Sequence, residues 1–263
     1  MITLHTFASG SEGNCALVSA GDTHLLLDAG ISCRRIAAAL DELGLDPGDL
    51  DALLITHEHA DHVRGLEVLA RRFAVPVYTG AATARQLCYR TAGLEGLIRP
   101  VEPGVPLPLG EITVTAFPNS HDAAGPLGYR FDCGGASAGV LTDTGVVTEA
   151  ARRTLAGVEL LVLESNHDVE WLRSGPYPYS LKARILSDRG HLSNDDAAAF
   201  AAEMAALGTA QFVLAHLSRQ NNTPQQALDT VGAALLGTGA AVTAAPRDTV
   251  SRPYAAEGAL CRR

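Results

Sequence analysis

The chain has 263 residues, of which 47% are hydrophobic and 19% are charged, which is typical of a soluble globular protein and excludes wholesale disorder. Its formal net charge of −9 argues against broad electrostatic binding of nucleic acid, because proteins that coat nucleic acid are normally basic. There is no apolar run of about 20 residues and no signal-like N-terminus, and five scattered cysteines suit a reducing compartment, so we expect a cytoplasmic protein without membrane contact.

The chain is long enough for one substantial core, and no repeat, low-complexity tract or linker-like segment divides it, so we expect a single domain over residues 1–263. In the N-terminal half, apolar stretches bounded by glycine turns predict strands, and apolar residues at helical spacing predict helices. Ser32 is of a type that favours a helix N-cap. We expect strands at 2–8, 15–20, 24–30, 51–56 and 75–79, a helix from Ser32 to about Gly44, and a helix through Leu66 and Leu69.

The C-terminal half continues this mixture of buried strands and helices. Strands are predicted at 112–118, 127–133, 138–143, 158–165 and 211–216, and helices near 169–187, 194–206 and 224–236. Apolar strands in both halves, with helices between them, predict two sheets packed together and helices on both outer faces. The expected fold class is therefore α/β (α+β), in the form of a four-layer αββα sandwich.

The strongest chemical signal is the sequence HEHADH at 57–62, directly after an apolar strand. Alternate residues of an extended segment share a face, so His57 and His59 project to the same side, and Asp61 and His62 follow further round the turn. One pair can bind a first metal ion and the next pair a second. A polar loop that caps the following helix would explain Asp61 alone, but not three imidazoles so close together.

Four ligands cannot complete the shells of two ions, and further candidates follow three other apolar strands. They are His121, Asp143 and His216. Each would emerge at one edge of a sheet, and the carboxylate of Asp143 has two oxygens with which to bridge two ions. Imidazole and carboxylate ligands without nearby cysteines argue against a closed structural zinc site. We therefore expect two divalent ions, Mn²⁺ or Zn²⁺.

Two bound ions would define the chemistry of the site. A metal-bound water has a pKa of about 7, and two ions about 3.5–4 Å apart stabilise both the attacking and the leaving oxygen of an in-line displacement. This favours hydrolysis of a phosphodiester or a related ester. Asp28, which ends the sequence LLLD, is expected to orient an imidazole or a loop, with a role in the turn as the alternative.

The order of these residues resembles that of the metallo-β-lactamase superfamily, and the resemblance extends over most of the chain. It implies the αββα sandwich and a dinuclear site. It also implies that the first ion takes His57, His59, His121 and the bridging Asp143, and the second Asp61, His62, Asp143 and His216. The resemblance does not define the substrate, because thioesters, lactams, phosphodiesters and redox substrates are all handled on this fold.

Finer matches resemble the YycJ/WalJ group of this superfamily, which are bacterial proteins regarded as exonuclease-like. They include SGSEGN at 9–14, TDTG at 142–145, GHLSN at 190–194 and LAHLSRQNN at 214–222. The terminal HxS also resembles tRNA-processing and cyclic phosphodiesterases, so phosphodiester chemistry is implied. On this basis His191 is expected to be the leaving-group acid or a donor to the phosphoryl oxygen, with helix capping before Ser193 as the alternative.

Several other residues are candidates for contacting or supporting roles. The turn at 9–14 can offer backbone N–H groups to a phosphate, so Ser9, Ser11 and Asn14 are candidate substrate contacts, with a tight turn between strands as the alternative. Asn222 is a further candidate, as a substrate contact or as a support for the His216 loop, with a surface turn residue as the alternative. His167 is expected to support the site through a hydrogen bond with Asp168 or Glu164. Four arginines near the motifs are candidate contacts with nucleic acid: Arg64, Arg130, Arg184 and Arg219.

Larger nucleases of the superfamily insert a capping domain between the bridging Asp and the last His, and the interval from Asp143 to His216 is too short for one. A nucleic acid must then enter an open cleft, as a single strand or an end. We predict a 5′-to-3′ exodeoxyribonuclease acting on DNA ends, with a metal-bound hydroxide as nucleophile, Asp61 as its orienting group and His191 as the acid. The alternatives are a hydrolase of a small cyclic phosphodiester or thioester, and a metal-bound regulatory protein without turnover.

Overall fold

Two mixed β-sheets of seven strands each pack face to face, in a computed structural model that describes residues 1–258. Apolar side chains from the inner faces of both sheets, such as Leu25 and Phe131, form one buried core between them. Two further cores lie between the outer face of each sheet and its helices. The predicted four-layer αββα sandwich is confirmed.

The first sheet joins the beginning of the chain to its last described strand. Its strands are β1 (Ile2–Ala8), β2 (Cys15–Ala20), β3 (Thr23–Leu27), β4 (Ala52–Leu54), β5 (Val77–Gly80), β6 (Ile98–Val101) and β14 (Tyr254–Ala256). Their spatial order is β14-β1-β2-β3-β4-β5-β6. Neighbours from β14 to β3 are antiparallel, whereas β3 to β6 run parallel.

The second sheet repeats this division into an antiparallel and a parallel half. Its strands are β7 (Pro106–Leu109), β8 (Ile112–Pro118), β9 (Leu127–Cys133), β10 (Ala136–Leu141), β11 (Leu160–Glu164), β12 (Gln211–Ala215) and β13 (Ala241–Ala244). They lie in the order β13-β12-β11-β10-β9-β8-β7. Neighbours from β7 to β10 are antiparallel and those from β10 to β13 are parallel, so the carboxyl ends of β10, β11 and β12 meet at one edge.

Nine α-helices occur among residues 1–258, together with a short 3₁₀ helix at Pro47–Asp49. They are α1 (Cys33–Asp41), α2 (Ala60–Val63), α3 (Leu66–Phe73), α4 (Ala81–Arg90), α5 (Glu149–Leu155), α6 (Val169–Ser174), α7 (Tyr179–Ile185), α8 (Asn194–Ala206) and α9 (Pro224–Ala234). Ser32 caps α1 as predicted, since its side chain accepts a hydrogen bond from the Arg35 N–H. No helix in this part of the chain is both long and apolar enough to span a membrane.

The helix expected near 169–187 is two helices, α6 and α7, separated by residues 175–178. This segment contains Pro176 and Pro178, and a proline within a helix removes a backbone donor and clashes with the preceding turn. The helical stretch expected there is therefore present but interrupted. Residues 81–90 and 149–155 carried no prediction, and both are helical.

The cysteines are dispersed over the fold. Cys15 is buried, and Cys33, Cys88 and Cys133 are partly buried; all four are free thiols. Cys261 lies outside the described residues.

The turn that carries Asp61 and His62 is tied to two neighbouring loops by backbone hydrogen bonds. The Asn14 N–H donates to the carbonyl oxygen of Asp61 over 2.8 Å. The Ala29 N–H donates to the carbonyl oxygen of His62, also over 2.8 Å. The Gly30 N–H donates to Asn14 over the same distance, so three segments meet at a position where only a glycine fits.

Gly30→Ala is therefore expected to destabilise the protein and weaken metal binding. The added Cβ would overlap the carbonyl oxygen of Asp61 and the backbone nitrogen of Asn14, and overpacking of this kind costs about 1–3 kcal/mol. The measurement is the melting temperature together with the affinity for Zn²⁺. Gly96→Ala is the matched control, because nothing lies within 4 Å of its Cβ position. A Gly30→Ala protein that matches the wild type in both quantities would contradict this account.

Candidate metal centre

Polar side chains gather where strands of both sheets end at one edge of the sandwich. Asp28 directly follows β3, and His57 comes shortly after β4. In the second sheet Asp143 follows β10, Glu164 ends β11 and His216 follows β12. The carboxyl ends of parallel strands are the usual position for sites in such sheets, because adjacent loops open into a crevice there. The two sheets thus contribute to a single site.

Three of these residues have a left-handed backbone conformation. The φ angles are 58° at Asp28, 56° at Asp143 and 57° at His216, and the only other non-glycine residue among 1–258 with positive φ is Ala74. A left-handed conformation at a residue with a side chain costs on the order of 1–3 kcal/mol and is concentrated at functional sites. The sharp turn lets each of these residues leave its strand at the shared edge.

Among residues 1–258 the donor atoms fall into four overlapping groups. The first consists of His57, His59 and His121, and the second of Asp61, His62 and His216. Another, His57 with His62 and Asp143, links these two. Within each group the donor atoms all lie within 4.8 Å of one another. Two atoms that each lie about 2.0–2.2 Å from one ion can be at most about 4.4 Å apart, so these groups have nearly the spacing of a shared ion.

Asp143 lies between the two groups. Its Oδ2 atom is 3.2 Å from Nε2 of His62, and its Oδ1 atom is 3.8 Å from Nε2 of His121. Its side chain is buried, and among residues 1–258 Oδ2 makes no hydrogen bond. A buried carboxylate oxygen without a hydrogen bond is costly unless a cation offsets its charge, so this residue fits a metal centre.

Three imidazoles are held through Nδ1, which leaves Nε2 for the centre. Nδ1 of His62 lies 2.7 Å from Oδ2 of Asp28, and Nδ1 of His121 lies 3.0 Å from the carbonyl oxygen of Gly190. Nδ1 of His216 lies 2.8 Å from Oε1 of Glu164. Hydrogen bonds of this kind set the ring orientation and tautomer of metal-binding histidines. Asp28 therefore contacts an imidazole through its side chain.

Glu164, expected from the sequence only as a partner of His167, lies among the imidazoles of the cluster. It is fully buried, and its Oε1 atom lies 2.8 Å from Nδ1 of both His191 and His216. Its Oε2 atom accepts a hydrogen bond from the Thr144 N–H. Burial would raise the pKa of Glu164, but the charge and hydrogen bond of His191 outweigh burial and lower it to about 2. The sequence signal that could have identified Glu164 is its position at the end of the apolar strand LLVLE.

The protonation of His57 also suits metal binding. Burial, followed by the charge of the neighbouring His62, holds the pKa of His57 well below its usual value. The neutral imidazole is the form that offers a lone pair to a metal ion. Nε2 of His57 lies 3.0 Å from Nδ1 of His59, so the two nitrogens face each other as ligands of one ion would.

A further group of possible ligands overlaps the second one. It contains Asp143, Glu164, His191 and His216. Here Nδ1 of His191 and Nδ1 of His216 both lie at hydrogen-bond distance from Oε1 of Glu164. These contacts make Glu164 a residue that orients imidazoles rather than a ligand in its own right.

Only one of the four candidate substrate contacts, Ser11, lines the cleft above this cluster. The Ser9 hydroxyl accepts a hydrogen bond from the backbone N–H of His216, and the Asn14 side chain contacts Asp61 and His62. Both are buried and support site residues. The expectation that they contact substrate is corrected accordingly.

Asn222 is a structural residue as well. It is buried, and its amide donates to the backbone oxygen of Ser165 and to Oδ1 of Asn194. The Thr223 N–H donates to its side-chain oxygen. These bonds use its polar atoms inside the fold, so the prediction of a substrate contact at Asn222 was wrong.

His167 does not make the hydrogen bond expected of it. Neither ring nitrogen has a hydrogen-bond partner within residues 1–258, although the side chain is buried. Asp168 instead caps α6 through the Trp171 N–H, and Glu164 contacts His191 and His216. Burial lowers the pKa of His167 to about 4, so the ring is neutral near pH 7.

The four candidate arginines have different surroundings. Arg184 lines the cleft, and its Nε donates to Oδ2 of Asp122. Arg64 and Arg219 both contact Glu12, the first through its carbonyl oxygen and the second through its carboxylate. Arg130 is engaged by Asp132 on its own strand and by backbone carbonyl oxygens at 154 and 156. Of the four, Arg184 is the one placed to meet a ligand of the metal centre.

The family assignment follows from comparison with known proteins. A model of the beta-lactamase superfamily domain matches residues 23–217, and the chain belongs to this superfamily. Within it, the chain falls in the YycJ/WalJ-like group. It is 40% identical over 231 residues to "Exodeoxyribonuclease YycJ" of Bacillus anthracis, covering 87% of each chain. It is also 40% identical over 223 residues to "Exodeoxyribonuclease WalJ" of Streptococcus pneumoniae, covering 84% of this chain and 83% of that protein.

A solved structure gives the same fold. The metallo-beta-lactamase fold protein YhfI from Bacillus subtilis aligns with a TM-score of 0.72 over 96% of this chain and 100% of that one. Its sequence identity is 18%, so the likeness concerns the fold alone. The predicted superfamily and group are both confirmed.

Proposed function

We propose that the protein is a metal-dependent phosphodiesterase that removes nucleotides from DNA ends, in the 5′-to-3′ direction. The observation that carries the proposal is the pair of donor groups on either side of Asp143, at the floor of one open cleft. The names of the two relatives with 40% identity support DNA as the substrate. We further propose a single hydrolase domain over residues 1–263 and a cytoplasmic location.

Two divalent ions, Mn²⁺ or Zn²⁺, would be held by this chain's own residues. We assign His57, His59, His121 and Asp143 to one ion, and Asp61, His62, Asp143 and His216 to the other. When bound, such ions polarise a phosphoryl oxygen and acidify a water molecule. The donor spacing within 4.8 Å among the histidines and Asp61, the group that joins Asp143 to His57 and His62, and the buried Asp143 oxygen without a hydrogen bond support the assignment.

The protein's own side chains would orient the attacking water and supply a proton to the leaving oxygen. Asp61 is half-buried and lines the cleft, where its carboxylate can orient the attacking water. His191 also lines the cleft, and Glu164 holds its Nδ1 atom. Nε2 of His191 is then the atom that can donate a proton to the leaving oxygen. A protonated imidazole of this kind typically contributes about 10²–10⁴-fold to a rate.

Glu164→Gln is expected to lower kcat/KM by about 10–100-fold, the usual effect of removing a partner that orients metal ligands. The amide keeps the size of the side chain but has only one oxygen to accept hydrogen bonds, whereas the carboxylate also satisfies Thr144. Activity and Zn²⁺ affinity are the two measurements. Glu203→Gln on α8 is the control, because Glu203 is partly exposed and pairs with Arg152 away from the cleft. Unchanged activity in Glu164→Gln would remove Glu164 from the site.

The proposed function is tested against its rivals by substrate comparison at several salt concentrations. The metal-loaded protein is given single-stranded DNA, a cyclic nucleotide and a thioester. We expect DNA to have the highest kcat/KM, with a steep fall as salt increases, because binding a polyanion releases counterions. A higher kcat/KM for the cyclic nucleotide or the thioester, with little salt dependence, would favour a small-substrate hydrolase instead. No turnover of any substrate would favour a regulatory protein.

A further inference from the structure

The helix α7 forms one wall of the cleft without belonging to a hydrophobic core. None of its seven residues is buried. Its half-buried apolar residues Leu181 and Ile185 are four positions apart, so they lie on one face of the helix, and both line the cleft together with Arg184. A surface helix normally buries its apolar stripe against the domain, whereas α7 turns it toward the metal centre.

An aromatic residue extends this wall at the N-terminal side of α7. Tyr177 is half-buried and lines the cleft. It lies between Pro176 and Pro178, which restrict the backbone on both sides of it. The ring is therefore presented by a stiff segment. Tyr179, two residues later, is 86% exposed and does not line the cleft.

The floor and the wall of the cleft have different chemistry. The floor carries the imidazoles and carboxylates that suit a phosphate and its metal ions, and the wall carries an aromatic ring and two aliphatic side chains. Arg184 lines the same cleft. Its Nε bonds Asp122 over 2.5 Å, and its two terminal nitrogens have no hydrogen-bond partner within the described part of the chain. Those nitrogens can reach a second phosphate oxygen while Asp122 keeps the side chain in place.

The cleft above the cluster is small. Its volume is about 260 Å³, which is below the range of about 300–1,000 Å³ that is usual for drug-sized ligands. A phosphate held by the imidazoles and carboxylates would bring its nucleoside into the same cleft that Tyr177, Leu181 and Ile185 line.

We propose that Tyr177, with Leu181 and Ile185, forms a subsite on which the base of the terminal nucleotide stacks, so that the preferred substrate is an unpaired DNA end. The inference rests on the proposed nuclease function and adds the strandedness of its substrate. Base stacking on an aromatic side chain tolerates any sequence, because every base has a flat π face. The subsite therefore selects for single strands without selecting for sequence.

The test compares a base-bearing end with an end that lacks its base. The Mn²⁺-loaded protein is titrated with a 3′-fluorescein oligothymidylate whose 5′ linkages are phosphorothioates that resist hydrolysis, and binding is followed by anisotropy. The 5′ nucleotide is either thymidine or an abasic residue. We expect the wild type to bind the thymidine end about tenfold more tightly, a factor that corresponds to about 1.4 kcal/mol.

Three variants locate this preference. Tyr177→Ala is expected to bind both ends with similar affinity, and Tyr177→Phe is expected to keep the tenfold preference because its ring is intact. Tyr179→Ala is the matched control and is expected to behave as the wild type. A blunt hairpin duplex should bind the wild type more weakly than the single strand.

Equal binding of both ends by the wild type, or an unchanged preference in Tyr177→Ala, would overturn the subsite. Stepwise DNA cleavage alongside either result would leave the nuclease function standing and remove only this inference. A base preference that depends on Tyr177, in a protein that cleaves no DNA, would leave the stacking subsite standing and remove the nuclease function. Failure to bind any oligonucleotide would overturn both.

Discussion

Asp143→Asn is expected to lower kcat for DNA cleavage by at least about 10³-fold, because it removes the carboxylate that both proposed ions share. Asparagine keeps the shape of the side chain, but it has one oxygen and no charge. Asp143 is buried between the two donor groups, with Oδ2 3.2 Å from His62 and Oδ1 3.8 Å from His121. Metal content, measured by mass spectrometry, is expected to fall from two ions per chain to one or fewer.

Asp132→Asn is the matched control for this prediction. Asp132 lies on β9, its side chain is 39% exposed, and it pairs with Arg130 on the same strand. The activity and metal content of the Asp132→Asn protein should equal those of the wild type. Two bound ions and near-normal turnover in Asp143→Asn would show that Asp143 does not bridge the ions.

His191→Ala is expected to lower kcat on DNA by about 10²–10⁴-fold while metal content stays at the wild-type level. His191 is in neither of the two assigned ligand sets, and its Nδ1 atom is engaged by Glu164. The comparison substrate is bis-p-nitrophenyl phosphate. Its p-nitrophenolate leaves readily without a proton, so the loss of an acid should matter much less there than on DNA.

A larger loss of kcat on DNA than on bis-p-nitrophenyl phosphate would distinguish an acid at His191 from a residue with another role. An equal loss on both, together with a loss of metal, would make His191 a ligand rather than an acid. His24→Ala is the control, since His24 lies on β3 and contacts Ser19 rather than the cleft. It should leave both activities unchanged.

The parts of the molecule that depend on local pattern were predictable. Strands such as β1 and β8 follow from apolar alternation between turn residues, and α1 follows from its Ser32 cap and apolar spacing. The sequence HEHADH predicted a ligand cluster because its residues are neighbours along the chain. His121, Asp143 and His216 could be added because strands that share a sheet edge deliver the residues that follow them to one place.

The roles that depend on contacts between distant segments were not predictable in this way. Glu164 acquires its importance from His191 and His216, which lie far from it along the chain, and no local spacing encodes that contact. Asn222 has a sequence position compatible with the cleft, but the fold turns it toward Asn194. His167 lies only three residues after Glu164, and its ring still makes no hydrogen bond with the Glu164 carboxylate.

The most direct test of the central claim is cleavage of end-labelled DNA by protein stripped of metal and then resupplied with Mn²⁺ or Zn²⁺. Single- and double-stranded substrates carry the label at either the 5′ or the 3′ end, and Asp143→Asn is assayed in parallel. We expect stepwise release of nucleotides from the 5′ end, only after metal is restored and not by the variant. Absence of cleavage with either metal, while bis-p-nitrophenyl phosphate is still hydrolysed, would contradict a DNA exonuclease.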